Sequence, residues 1–191
     1  MDRRKALRNI GTGIGAIAVT PTVISMFQSC QTAATYSPVF IPMEDFNIIS
    51  NLMELIIPKT EIPGAIELKL PEFVDAYIDA VWSKKQKGSF AEAWGEFLGA
   101  STKAAAKETP SQLSIAEWDA QLAKYLKPGN EIPSGEEGAA KFAQELRSLT
   151  VNAFKTNEFI GENVMAYAPI PGQQKGCVDL METTGGKAWS L

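Results

Sequence analysis

The sequence predicts an all-α fold: a single domain of about five to six amphipathic helices with a long irregular C-terminal tail, preceded by an export leader. Three observations lead there. Apolar residues recur every three or four positions from residue 43 to about 165. Ser-x-x-Glu boxes punctuate those runs as helix starts do. No run of alternating apolar and polar residues asks for a strand.

Residues 31–42, with Pro38 and Pro42, read as an extended tether. Phe46, Ile49, Leu52, Met53 and Ile56 then make a first helical stripe that Pro58 stops. Pro71 sits where a first helical turn tolerates it, and the doublets Phe73/Val74, Tyr77/Ile78 and Val81/Trp82 repeat every four residues. Glu72, Asp75 and Asp79 fall between those doublets and read as the solvated face of that helix. Ser89 with Glu92, Ser114 with Glu117 and Ser134 with Glu137 mark three further starts. The helices behind them carry Phe90, Trp94 and Phe97, then Trp118, Leu122 and Tyr125, then Phe142, Leu146 and Leu149. Lys127-Pro128-Gly129 closes the second of these three. A shorter helix follows from about Thr156 to Met165. The aromatic stripes read as core rather than as a cofactor slot.

Ala166 to Leu191 breaks the pattern with Pro169, Pro171, Gly172, Gly176, Gly185 and Gly186. This stretch retains Tyr167, Val178, Leu180, Met181 and Trp189, which is too apolar for an ordinary disordered tail. It is expected to wrap the domain or to lie in a partner's groove.

Composition excludes whole classes of chemistry. The 191 residues contain no histidine, which removes the usual general base near neutral pH and the commonest metal ligand. Two cysteines, Cys30 and Cys177, cannot build a zinc ribbon or an iron–sulfur site. There is no Gly-rich dinucleotide loop, P-loop or C-x-x-C. An enzyme working with an Asp/Glu pair alone is disfavoured, because the acids scatter over helix faces. The formal charge of −4 argues against a broad basic face for nucleic acid.

That charge is unevenly placed. Arg3, Arg4, Lys5 and Arg8 stand against Asp2 alone in residues 1–30, and the remainder is acidic. Asp2-Arg3-Arg4-Lys5-Ala6-Leu7-Arg8 resembles the twin-arginine export signal, with Arg3 and Arg4 as its pair. The run from Ile10 to Phe27 carries Gly11, Gly13, Gly15 and Pro21 and is too polar for a comfortable membrane span. Ser29-Cys30 reads as a lipoprotein cleavage point that would lipidate Cys30, with cleavage after Thr32-Ala33-Ala34 as the alternative. A Cys30–Cys177 disulfide requires the leader to be retained, and Cys177 by itself reads as a small buried residue. A leader for folded cargo fits either a cofactor-free protein or one that escorts a cofactor-bearing partner.

Two stretches carry a family resemblance. Leu55-Ile56-Ile57-Pro58, Ile62-Pro63-Gly64-Ala65 and Leu70-Pro71-Glu72-Phe73-Val74-Asp75 are similar to the front signature of the gluconate 2-dehydrogenase subunit 3 family. Tyr167-Ala168-Pro169-Ile170-Pro171-Gly172, through Gly176-Cys177 to Ala188-Trp189-Ser190-Leu191, resembles its close. The resemblance implies a periplasmic, non-catalytic small subunit that binds no cofactor or metal itself. It further implies a large FAD-dependent partner of the glucose-methanol-choline type, often with a cytochrome c subunit carrying haem c. Pro58, Pro63, Gly64, Ala65, Tyr167, Cys177 and Trp189 are then the candidate partner-interface residues. A free-standing envelope lipoprotein acting as a binding module is the competing expectation.

Overall fold

The computed structural model describes residues 36–167 and 177–189. The chain divides into two compact units, and the second, Pro38–Leu191, holds the described helices. The twin-arginine pair Arg3 and Arg4 and the lipidation candidate Cys30 lie outside the described residues.

In chain order the unit contains α1 (Met43–Ile56), α2 (Leu70–Val81), α3 (Lys84–Ala105), α4 (Ile115–Leu126), α5 (Glu137–Thr156) and a short α6 (Leu180–Thr184). A 3₁₀ turn at Pro110–Gln112 joins α3 to α4, and a π-helical turn at Ile160–Val164 follows α5. The described residues form no strand; a single parallel bridge pairs Ala166 with Trp189.

α5 is the axis of the domain, packing on α1, α2, α3 and α4. Its buried face, Ala139, Ala140, Phe142, Ala143, Leu146, Thr150 and Ala153, explains why. Small side chains let neighbouring helices approach closely, while Phe142 and Leu146 fill the space between them. Phe142 sits among Phe90, Trp94 and Phe97 with ring centroids 5.2, 4.9 and 5.0 Å away. Phe97 continues the cluster to Trp118 and Tyr125 on α4. The aromatic stripes are core, as their spacing predicts. Truncating Phe142 would leave a cavity at the junction of the helices, worth about 3–5 kcal/mol.

The helix starts correct two of the three expected boxes. Ser114 caps α4 and Glu117 reaches back to it, its carboxylate held below the usual range by those bonds. α3 instead starts one box earlier, at Ser83 with Gln86. Ser89 lies inside α3, where its hydroxyl accepts from the Lys141 ammonium at 2.7 Å. Ser134 caps nothing; α5 begins after Glu136 with no side-chain cap. Gly135, at φ 84, turns the chain so that the Glu136 carboxylate points to α4 instead.

The larger correction concerns Asp75. It is fully buried, not on a solvated face. Its carboxylate accepts the backbone N–H groups of Val39 at 2.7 Å, Phe40 at 3.0 Å and Ile41 at 2.6 Å. The end of the stretch read as a tether is thereby strapped to α2. Ile41 is buried, and the Phe40 ring packs on Phe90 with the Lys87 ammonium over the ring, 5.7 Å from its centroid. Of the doublets along α2, Val74 and Ile78 are buried and Trp82 packs half-buried on Phe90; Phe73, Tyr77 and Val81 are exposed.

Candidate partner-binding surface

The connection from α1 to α2 is built around one carboxylate. Glu54, on the last turns of α1, accepts the backbone N–H of Lys59 at 3.0 Å and of Ile66 at 2.8 Å. Gly64 is what allows this, since a Cβ there would collide with the Glu54 carboxylate. Ala65 is fully buried, and its N–H donates to the Ile57 carbonyl while its own carbonyl accepts from Leu70. Gly64 and Ala65 therefore hold the loop's shape and offer little surface of their own. Pro58 is exposed and Pro63 half-buried. An exposed Lys59–Glu67 ion pair at 2.7 Å spans the loop and raises the lysine pKa. Lys69 closes the loop at φ 55, which frees Pro71 to occupy the first turn of α2.

Asn157 ties this loop to the far end of α5. Its amide donates to the Leu68 carbonyl at 3.4 Å, and its Oδ1 accepts from the Ile160 N–H. Asn157 borders two shallow depressions. One, of about 400 Å3, is lined by Pro63, Leu68, Lys69 and Phe159. The other, of about 330 Å3, is lined by Lys155, Gly161, Glu162 and Tyr167. The bridge from Ala166, whose N–H donates to the Ala188 carbonyl at 2.8 Å, pairs Trp189 with the residue that precedes Tyr167. Three of the sequence candidates, Pro63, Tyr167 and Trp189, are thus gathered at one end of the domain.

That end carries uncovered apolar side chains. Ile66, Phe159, Tyr167 and Trp189 are exposed, as are Val178, Leu180 and Met181 of the tail. The described part of the tail folds back on the π-helical turn, with Lys187 donating to the Asn163 carbonyl at 3.4 Å, and leaves these residues to solvent. Cys177 is exposed too, contrary to the buried position expected of it. Single exposed apolar residues are ordinary; several at one end of a domain mark a contact surface.

Two further features complete the surface. A groove of about 400 Å3 runs between α2 and α5, floored by Val74, Leu149 and Ala153. On another side, the Glu136 carboxylate accepts from the Lys124 ammonium and from the Tyr125 hydroxyl at 2.6 Å, and Gln121 donates to that hydroxyl at 2.9 Å. The Lys124 and Tyr125 bonds hold the Glu136 pKa below the usual range. Burial first, and then Glu136, push the Tyr125 pKa up. This network pins the 127–136 loop to α4. Among the described residues no three His, Cys, Asp or Glu side chains gather as metal ligands would.

Such a domain, a helical body with Ile66, Phe159, Tyr167 and Trp189 exposed toward one end, is, over its described residues, a small all-α module. The chain belongs to the family described as gluconate 2-dehydrogenase subunit 3, whose model matches residues 43–172, or 130 of the 191. The match includes the α1–α2 loop and the Tyr167-to-Gly172 stretch, and ends before Cys177 and Trp189. No curated protein and no solved structure matches the chain.

Proposed function

We propose that this chain is the non-catalytic small subunit of a periplasmic FAD-dependent sugar or gluconate dehydrogenase. In this reading it escorts and stabilises a large flavoprotein of the glucose-methanol-choline type and supplies the export signal for the folded pair. Membership of the subunit 3 family carries the proposal. Supporting it are the Arg3-Arg4 leader and the apolar end formed by Ile66, Phe159, Tyr167 and Trp189. Aromatic residues are enriched at the centres of protein interfaces, so Tyr167 and Trp189 are the side chains assigned to the flavoprotein.

FAD belongs to the partner, and haem c to a cytochrome subunit where one is present. The described residues offer FAD no strand–turn–helix phosphate cradle, and the α2–α5 groove has no basic residue in its lining. In this reading the flavin stays with the partner, and no redox step is assigned to this chain.

Co-expression of the full chain with a candidate flavoprotein tests the proposal. Replacing Arg3 and Arg4 together by lysine should hold both proteins in the cytoplasm. Replacing Tyr167 and Trp189 by alanine should release the flavoprotein while the helical domain stays folded. Export of the flavoprotein unchanged by the twin-lysine variant would contradict the escort role.

A further inference from the structure

α2 is apolar on both sides. Leu70, Val74 and Ile78 are buried against the body, while Phe73, Ala76, Tyr77, Ala80 and Val81 are exposed. At 3.6 residues per turn those five positions form one continuous stripe on the outer side. A helix that is apolar all round is normally covered on both sides. Large and small side chains are interspersed along the stripe. The Phe73 and Tyr77 rings lie within 19° of parallel with centroids 6.1 Å apart, and Ala76 and Ala80 leave a shallow trough beside them. That order is self-complementary. Reversed about a two-fold axis between Ala76 and Tyr77, the stripe sets Phe73 opposite Ala80 and Tyr77 opposite Ala76 of a second α2.

The charges beside the stripe fit the same reversal. α5 ends beside the start of α2, where Asn157 donates to the Leu68 carbonyl, so the two helices run in opposite directions along their groove. Glu145 lines one end of that groove, and Lys155 stands about 15 Å further along α5, near the other. Neither makes an ion pair or a hydrogen bond with another described residue. A two-fold axis that reverses α2 also reverses α5, and so brings Glu145 of each copy toward Lys155 of the other. On the opposite flank Asp79 is already held by the Lys87 ammonium at 2.6 Å, which quenches its repulsion of a like surface. We propose that the outer face of α2 pairs antiparallel with the same face of a second copy of this chain, Phe73 and Tyr77 seated on the copy's Ala80 and Ala76 and Glu145 paired with the copy's Lys155. The pairing does not use Tyr167 or Trp189, the side chains assigned to the flavoprotein, and stands or falls separately from that assignment.

Sedimentation equilibrium of the purified full chain, with no flavoprotein present, tests the pairing. The wild-type chain should dimerise reversibly in the micromolar range. Ala76→Glu, at an exposed position, sets like charges against each other at the axis and should weaken the dimer about tenfold or more, with the helical circular dichroism unchanged. Glu145→Lys and Lys155→Glu should each weaken it about threefold to tenfold, and the double variant should recover most of that loss. With Cys30 and Cys177 replaced by serine, Ala76→Cys should oxidise to a disulfide-linked dimer, whereas Ala91→Cys, exposed on α3, should not. A chain that stays monomeric up to about 100 μM, or a dimer unmoved by Ala76→Glu and by the charge exchange, overturns the assignment. A monomer from which Tyr77→Ala releases a bound flavoprotein overturns it too, and would give the stripe to that partner.

Discussion

Replacing Asp75 by alanine should detach the N-terminal strap from the helical body. The wild-type carboxylate is fully buried and accepts three backbone N–H groups at 2.6–3.0 Å. Hydrogen bonds to a charged group contribute about 1.5–3 kcal/mol each, but that sum is an upper bound here. Once the carboxylate is gone, residues 39–41 can peel away and regain water. The loss is then capped by what else holds Phe40 and Ile41 down, chiefly apolar burial of about 1.5–3 kcal/mol per side chain. The net expectation is about 3–5 kcal/mol off the local opening free energy, with a smaller drop in global stability. Amide hydrogen exchange reads this directly: the Val39, Phe40 and Ile41 amides should exchange at least about 100-fold faster, while α5 amides speed up much less, by the smaller global loss alone. Asp75→Asn keeps one acceptor oxygen but sets an NH2 against an N–H, and should fall between the two. Exchange at those three amides within about threefold of wild type would show that Phe40 packing, and not the carboxylate, secures the strap.

Other consequences follow from the same contacts. Gly64→Ala should destabilise by about 1–2 kcal/mol in the native background, and by much less once Glu54→Ala has removed the carboxylate that the new Cβ would strike, a non-additivity that paired thermal melts would measure. Ser114→Ala should cost about 1 kcal/mol in a urea titration, whereas Ser134→Ala should be near neutral because that hydroxyl caps nothing. Glu136 has its pKa lowered by Lys124 and Tyr125, so its contribution is present above the ordinary carboxylate value of 4.5 and is lost as pH falls through the lower folded value. Glu136→Gln should therefore reduce stability near neutral pH by about 1 kcal/mol, the pair being partly exposed, and flatten the acid limb below pH 4.5 in melts across pH.

Local signals in the sequence carried much of the architecture. Ser114-Ile115-Ala116-Glu117 folds as its capping box dictates, and α4 ends at an extended Lys127 ahead of Pro128, with Gly129 at φ 84 turning the chain beyond it. What the sequence concealed was decided by tertiary contacts. Ser83 and Ser89 both head Ser-x-x-Gln/Glu boxes, and local chemistry does not rank them. Trp82 packing on Phe90 decides, because it places the chain's turn ahead of Ser83. Glu136 is drawn to Lys124 and Tyr125, a pairing across 11 and 12 residues that no helix-start rule contains. Asp75 was within reach: it lies between Val74 and Ile78 on the side of Pro71, so helical spacing puts it inward. A buried carboxylate needs donors, and the strap that supplies them lies more than 30 residues away. Among the interface candidates, the Pro/Gly spelling of residues 63–65 read as surface. Two of those three positions, Gly64 and Ala65, instead serve Glu54 and the core.

The role proposed for this chain requires that it travel with a flavoprotein. The direct measurement is affinity purification of the full-length chain at native expression from the periplasmic fraction, with flavin absorbance and dye-linked sugar oxidation followed in the eluate. A second, larger protein should elute in fixed ratio with bound FAD, and activity should depart with it when Tyr167 and Trp189 are replaced by alanine. A colourless, inactive preparation containing this chain alone would contradict that role.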